Sequence, residues 1–98
     1  DAVSAEKYYF SGPVPEGWAA LYDPQTNEKL TVRFPADKVP YLAVWCNCGG
    51  FEDQYHIAIE PSTGFLDDLR YASERGRAAV IEPFQRYEWH MDVTLEHL

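Results

Sequence analysis

Glu60 is the side chain in this sequence best placed to do chemistry. It closes the apolar run Tyr55–Ile59 and is followed at once by Pro61 and a Ser62-Thr63-Gly64 turn. A carboxylate where a strand runs into a loop can sit at the lip of a pocket and exchange a proton with a ligand there. Strand alternation sets His56, Ala58 and Glu60 on one face and Tyr55, Ile57 and Ile59 on the other. The second face is wholly apolar and is expected to be core. The first carries an imidazole and a carboxylate separated by two same-face steps of ~6.8 Å each.

The preceding run, Tyr41–Cys46, alternates in the same way. Leu42, Val44 and Cys46 can face the core, which leaves Tyr41, Ala43, Trp45 and Asn47 opposite. If the two runs pair, Trp45, Asn47, His56 and Glu60 line one concave surface. An indole plate beside hydrogen-bonding groups suits a sugar, whose C–H face packs on the ring while its hydroxyls bond the polar groups. Each residue also has a plainer reading. A strand-end Glu is commonly solvated, His56 can be a partly exposed strand residue, Trp45 can be packing, and Asn47 can bond its own loop backbone.

Other constellations are weaker. Cys46-x-Cys48 would need two further convergent ligands to hold a metal, and no second pair is visible, so no metal or other cofactor is expected. A disulfide between i and i+2 would fight strand geometry, and buried free thiols are expected instead. Asp67-Asp68 lacks the regular oxygen spacing of a calcium loop, and one of the two suits a helix cap. No phosphate loop, nucleophile elbow or zinc-protease helix is present.

These residues need a scaffold, and 98 residues provide one small domain, 1–98. With 46% hydrophobic and 15% aromatic residues the chain is not of the disordered class. Sixteen acidic against eight basic side chains give a formal charge of −8, which argues against nucleic acid or an anionic membrane as partner. No apolar run approaches the ~20 residues that span a bilayer, and no signal peptide is visible. Asp1 in place of Met suggests a chain cut from something longer. Two cysteines are too few for a disulfide-built fold, and the cytoplasm is the default compartment.

In chain order, Tyr8-Tyr9-Phe10 forms a short strand or packs on something, before a loop through Gly12-Pro13-Val14-Pro15. Trp18–Tyr22 and Lys29–Phe34 flank Asp23-Pro24-Gln25-Thr26-Asn27, the pattern of a β-hairpin. A two-proline loop leads to the central pair of strands. Phe65–Arg75 has helical spacing ended by Gly76, so one or two helical turns are expected near 66–75. Ala78–Ile81 reads as a strand, Glu82–Gln85 as a turn, and Tyr87–Leu95 as the last strand, with Trp89, Met91, Val93 and Leu95 on one face. Six or so strands and almost no helix predict an all-β fold, an antiparallel β-sandwich or part of one.

The run Trp45-x-Asn47…Gly49-Gly50…His56-Ile57-Ala58-Ile59-Glu60-Pro61-Ser62-Thr63-Gly64…Asp67-Asp68-Leu69…Ala72…Gly76…Glu82-Pro83…Trp89 resembles the C-terminal part of the aldose 1-epimerase (galactose mutarotase-like) family, over roughly residues 30 to 96. The resemblance implies part of a large β-supersandwich with a hexose in an open cleft. It implies that Glu60, in the motif Ile59-Glu60-Pro61, is the general base on the anomeric hydroxyl. Trp45, Asn47 and His56 would then be cleft residues, and Asp67 stands in the place of an acidic residue that follows the base motif. The family's catalytic acid, a His from earlier strands, has no counterpart here. The chain is therefore expected to be a C-terminal fragment, inactive or nearly so alone, and to form a homodimer or join the missing N-terminal portion. A non-catalytic carbohydrate-binding sandwich and a structural or assembly domain are the alternatives.

Overall fold

The computed structural model describes residues 3–98 and contains six strands and one short helix. They are β1 (Ser4–Tyr9), β2 (Trp18–Asp23), β3 (Glu28–Arg33), β4 (Tyr41–Cys48), β5 (Tyr55–Ser62), α1 (Leu69–Glu74) and β6 (Asp92–His97). Two three-stranded antiparallel sheets result, ordered β1-β4-β5 and β2-β3-β6. The molecule is a small all-β sandwich. No helix is long and apolar enough to cross a membrane among the described residues.

Local chemistry sets the hairpin β2–β3. Asp23 accepts from the Gln25 N–H at 2.9 Å, Tyr22 donates to Asn27 Oδ1 at 2.7 Å, and Asn27 takes the left-handed φ of 57° that its short polar side chain tolerates. At the open end, Phe34 N–H donates to the Gly17 carbonyl at 2.8 Å. A Cβ at position 17 would lie 1.7 Å from the Phe34 oxygen, so only glycine allows this closure. The two-proline loop then folds Val39 inward, with the Val39 and Lys38 N–H groups bonded to the Pro35 carbonyl.

That inward turn makes the core. Val14, Val32, Phe34, Val39 and Leu42 are buried together, with Ala19, Ala36 and Ile59 packed against them. Val39 is fully covered, and removing a side chain of its kind from water contributes about 1.5–3 kcal/mol. The cluster joins β3 to β4 and β5, so the two sheets meet at one end of the sandwich.

Several expectations change here. The apolar face of β5 is core only at Ile59; Ile57 is 51% and Tyr55 74% exposed, because the sheets do not cover each other toward that end. Cys46 is half-buried and Cys48 exposed, both free, so only one thiol is partly sheltered. Ala78–Ile81 is not a strand: Ala78 makes one bridge to Gly64, Ala79 N–H reaches the Thr63 carbonyl, and among the described residues no ladder continues beyond. The last strand begins at Asp92 rather than Tyr87, because its partner β3 ends opposite it at Arg33 and Phe34 turns away to Gly17.

The helix falls within the expected segment. Asp68 is its N-cap and accepts from the Tyr71 N–H at 3.2 Å. Gly76 follows the helix with φ 66°, the left-handed stop that glycine supplies.

Candidate functional site

β4 lies between β1 and β5, and the two registers define rows across the sheet. Tyr9, Ala43 and Glu60 form one row; Lys7, Trp45 and Ala58 form the next; Ala5, Asn47 and His56 form a third. Residues directly opposite in antiparallel strands share a face. Trp45, Asn47, His56 and Glu60 therefore do lie on one face, joined by Lys7 and Tyr9 from β1. Glu60 lies within β5, not at its end: the strand runs on through Pro61 to Ser62. Proline is tolerated there because β5 is an edge strand.

A cavity of ≈ 250 Å³ opens over the first row, lined among others by Lys7, Tyr9, Tyr41, Ala43, Glu60 and Asp67. Its hollow follows from size. The register sets the small Ala43 side chain between Tyr9 and Glu60, and the Lys7 ammonium reaches over from the next row, 5.2 Å from the Tyr9 ring and 3.1 Å from Glu60. Tyr41 and Phe65 make one wall, their rings 5.7 Å apart and tilted by 50°, and the Arg77 guanidinium covers Phe65 at 4.6 Å. Tyr41 is buried and Phe65 half-buried, so this wall is apolar beside the polar groups.

The polar groups form a connected set. Lys7 Nζ lies 2.7 Å from Asp67 Oδ1 and 3.1 Å from Glu60 Oε2. The Tyr9 hydroxyl donates to Asp67 Oδ2. Glu60 Oε2 is itself shielded from solvent and makes no aligned hydrogen bond, while the Glu60 side chain as a whole is 38% exposed. Its second oxygen, Oε1, is thus the one available to a ligand. The hydrogen bond to Asp67 holds the Lys7 ammonium above its ordinary pKa, with Glu60 adding to the effect against the cost of burial. The same contact, with that from Tyr9, lowers Asp67, and Asp67 in turn raises the Tyr9 phenol. Asp67 reaches the cluster from a loop whose preceding residue, Leu66, holds φ at 64°. A bulky residue in that region stores strain of about 1 kcal/mol or more, and such outliers gather at functional sites.

The remaining candidates lie further along the sheet. Trp45 stands edge-on to His56 at 4.9 Å and to Phe51 at 5.9 Å, outside the cavity lining. His56 is exposed. Asn47 is 2% exposed, with Nδ2 donating to the Phe51 carbonyl at 3.0 Å and Oδ1 accepting its N–H at 3.1 Å. Both ends of that amide brace the β4–β5 loop. The structure thus brings Glu60 and Asp67 together and sets Trp45, Asn47 and His56 apart from them. Among the described residues no three His, Cys, Asp or Glu groups come together to hold a metal ion.

Sequence reasoning missed Lys7 and Tyr9, and set Tyr41 on the right face without giving it a role. Alternation within β1 puts Lys7 and Tyr9 on one face, but their pairing with β4 and their contact with a carboxylate sixty residues on are non-local. The one available signal was a lysine directly before the aromatic run Tyr8-Tyr9-Phe10.

No curated protein and no solved structure matches the chain. A family model described as a domain of unknown function, DUF4432, matches residues 5–95, and it spans every residue of the cluster above. The chain belongs to the DUF4432 family.

Proposed function

We propose that the cavity between Tyr9 and Glu60 is a monosaccharide site of the aldose 1-epimerase type, with Glu60 as general base. The observation that carries this reading is the placing of Glu60. Its shielded oxygen is tied to Lys7, its other oxygen is left to a ligand, and the hollow beside it has an aromatic wall and several hydrogen-bonding groups. A hexose fits such a site through its C–H face on Tyr41 or Phe65 and its hydroxyls on Lys7, Tyr9 and Asp67.

In the reaction, Glu60 Oε1 takes the proton of the anomeric hydroxyl. The bond between the anomeric carbon and the ring oxygen breaks, leaving an aldehyde, and the ring oxygen takes up a proton. Rotation about C1–C2 and reversal of these steps give the other anomer. Lys7 and Tyr9 both hold their protons more firmly than free side chains do, which makes them binding groups and poor donors to the ring oxygen. The pocket supplies the base, and in the isolated chain solvent must supply the acid. Activity of the chain alone is therefore expected to be slight.

A second reading is favoured by the 3.1 Å ion pair to Lys7, which holds the Glu60 carboxylate in place to accept a hydrogen bond from a sugar hydroxyl without taking its proton. In that reading the site binds a hexose and moves no proton. Polarimetry on freshly dissolved α-D-glucose or α-D-galactose, with calorimetric titration of the same sugars, separates the two. Faster mutarotation that is lost in Glu60→Gln, with folding intact, supports the base role. Saturable binding with no rate effect supports the binding module. Equal mutarotation rates for Glu60→Gln and the parent protein would remove Glu60 from the chemistry, and an absence of both binding and rate would remove the sugar.

A further inference from the structure

The chain exposes more surface than a self-contained fold of its size. Its accessible area is 7314 Å², against about 5,700 Å² for a folded monomer of the same mass. Its radius of gyration is 15.7 Å, against about 13 Å for a compact domain of this length. The excess of roughly 1,600 Å² falls within the ~1,000–2,500 Å² that each partner buries in an obligate dimer.

Part of the exposed apolar surface lies on β6, an edge strand. Val93 is 57% and Leu95 66% exposed, on the face they share with their partners Val32 and Leu30. The Leu98 N–H donates to the Asn27 carbonyl at 2.8 Å. By the two-residue period, Glu96, Thr94 and Asp92 therefore turn their backbone groups toward β3. Val93, Leu95 and His97 turn theirs outward, unpaired in the sheet.

We infer that this edge is a homodimer interface, in which β6 of two copies pair antiparallel about a two-fold axis through Leu95. The register follows from the outward groups. Leu95 meets Leu95 and exchanges both backbone hydrogen bonds with it, Val93 meets His97 on the same face, and Thr94 meets Glu96 on the other. No two like charges stand directly opposite. The neighbouring register centred on Thr94 would set Asp92 against Glu96 twice, which disfavours it. The product is a continuous six-stranded sheet, β2-β3-β6-β6-β3-β2, whose central apolar stripe is covered on neither copy alone.

Sedimentation velocity over a concentration series tests this on the intact chain. The expected result is twice the chain mass at tens of micromolar. Leu95→Lys, which places two ammonium groups together at the two-fold axis, should weaken association by at least about tenfold while leaving circular dichroism unchanged. His97→Pro, which removes an outward N–H and spares the β3 ladder, should weaken it too and stands in if the first variant misfolds. A parent chain that is monomeric at tens of micromolar overturns the proposal. A dimer that both variants leave intact overturns it as well, since the contact then lies on another face.

Discussion

Lys7 and Asp67 are sixty residues apart in the chain, and their Nζ and Oδ1 atoms are 2.7 Å apart in space. The pair ties the first strand to the loop before the helix, and it holds the ammonium beside Glu60.

Lys7→Met should therefore change the acid stability of the protein. Asp67 titrates below its ordinary value when folded, so it stabilises the fold above the unfolded carboxylate range, and that contribution is lost as pH falls through the folded value. Lys7 is raised, so its contribution is complete below the ordinary lysine value and is lost only as pH rises beyond it. Across the neutral range both are present. With the Asp67 side chain 64% exposed, the pair contributes less than about 1 kcal/mol. Thermal melts at successive pH values should show parent and variant converging in acid. Parallel curves down to full protonation would remove the pair from the stability of the fold.

Asn47→Ala should cost more. The substitution orphans the Phe51 N–H and carbonyl inside the β4–β5 loop, at about 1–3 kcal/mol for the unmet groups. Urea denaturation should shift to lower midpoint with an unchanged slope. A variant as stable as the parent would mean that the loop finds other partners.

Self-association through β6 should tighten with salt. Each copy carries a formal charge of −8, so long-range repulsion opposes pairing, and screening at a Debye length of about 8 Å relieves it. The apolar contact at Leu95 strengthens in the same direction. Sedimentation at low and high sodium chloride should give a lower dissociation constant in the second. A contact held by ion pairs would move the other way.

The sequence was most legible where structure is local. The β2–β3 hairpin follows from Asp23-Pro24-Gln25-Thr26-Asn27, the helix from its spacing with a cap from one of Asp67 and Asp68, and the shared face of His56 and Glu60 from strand period, with Trp45 joining it once β4 pairs β5. It was least legible where one segment needs a distant partner. Ala78–Ile81 has the composition of a strand and no ladder to join, so it runs exposed. Ile57 alternates like a core residue, yet burial depends on whether the second sheet reaches it. For the candidate site, Glu60 and Asp67 could be named from the chain, while the lysine and phenol that complete it required the β1–β4 register.

Ala43 sits between Tyr9 and Glu60 and is itself 6% exposed. The floor of the hollow is therefore set in part by a residue with no chemistry of its own. If the proposed function holds, a larger side chain at this one position would narrow the hollow from its floor, against the Lys7 ammonium above it. On the proposed reading, the residue that floors the hollow and the carboxylate that would react lie on neighbouring strands, β4 and β5, so size and chemistry could vary separately.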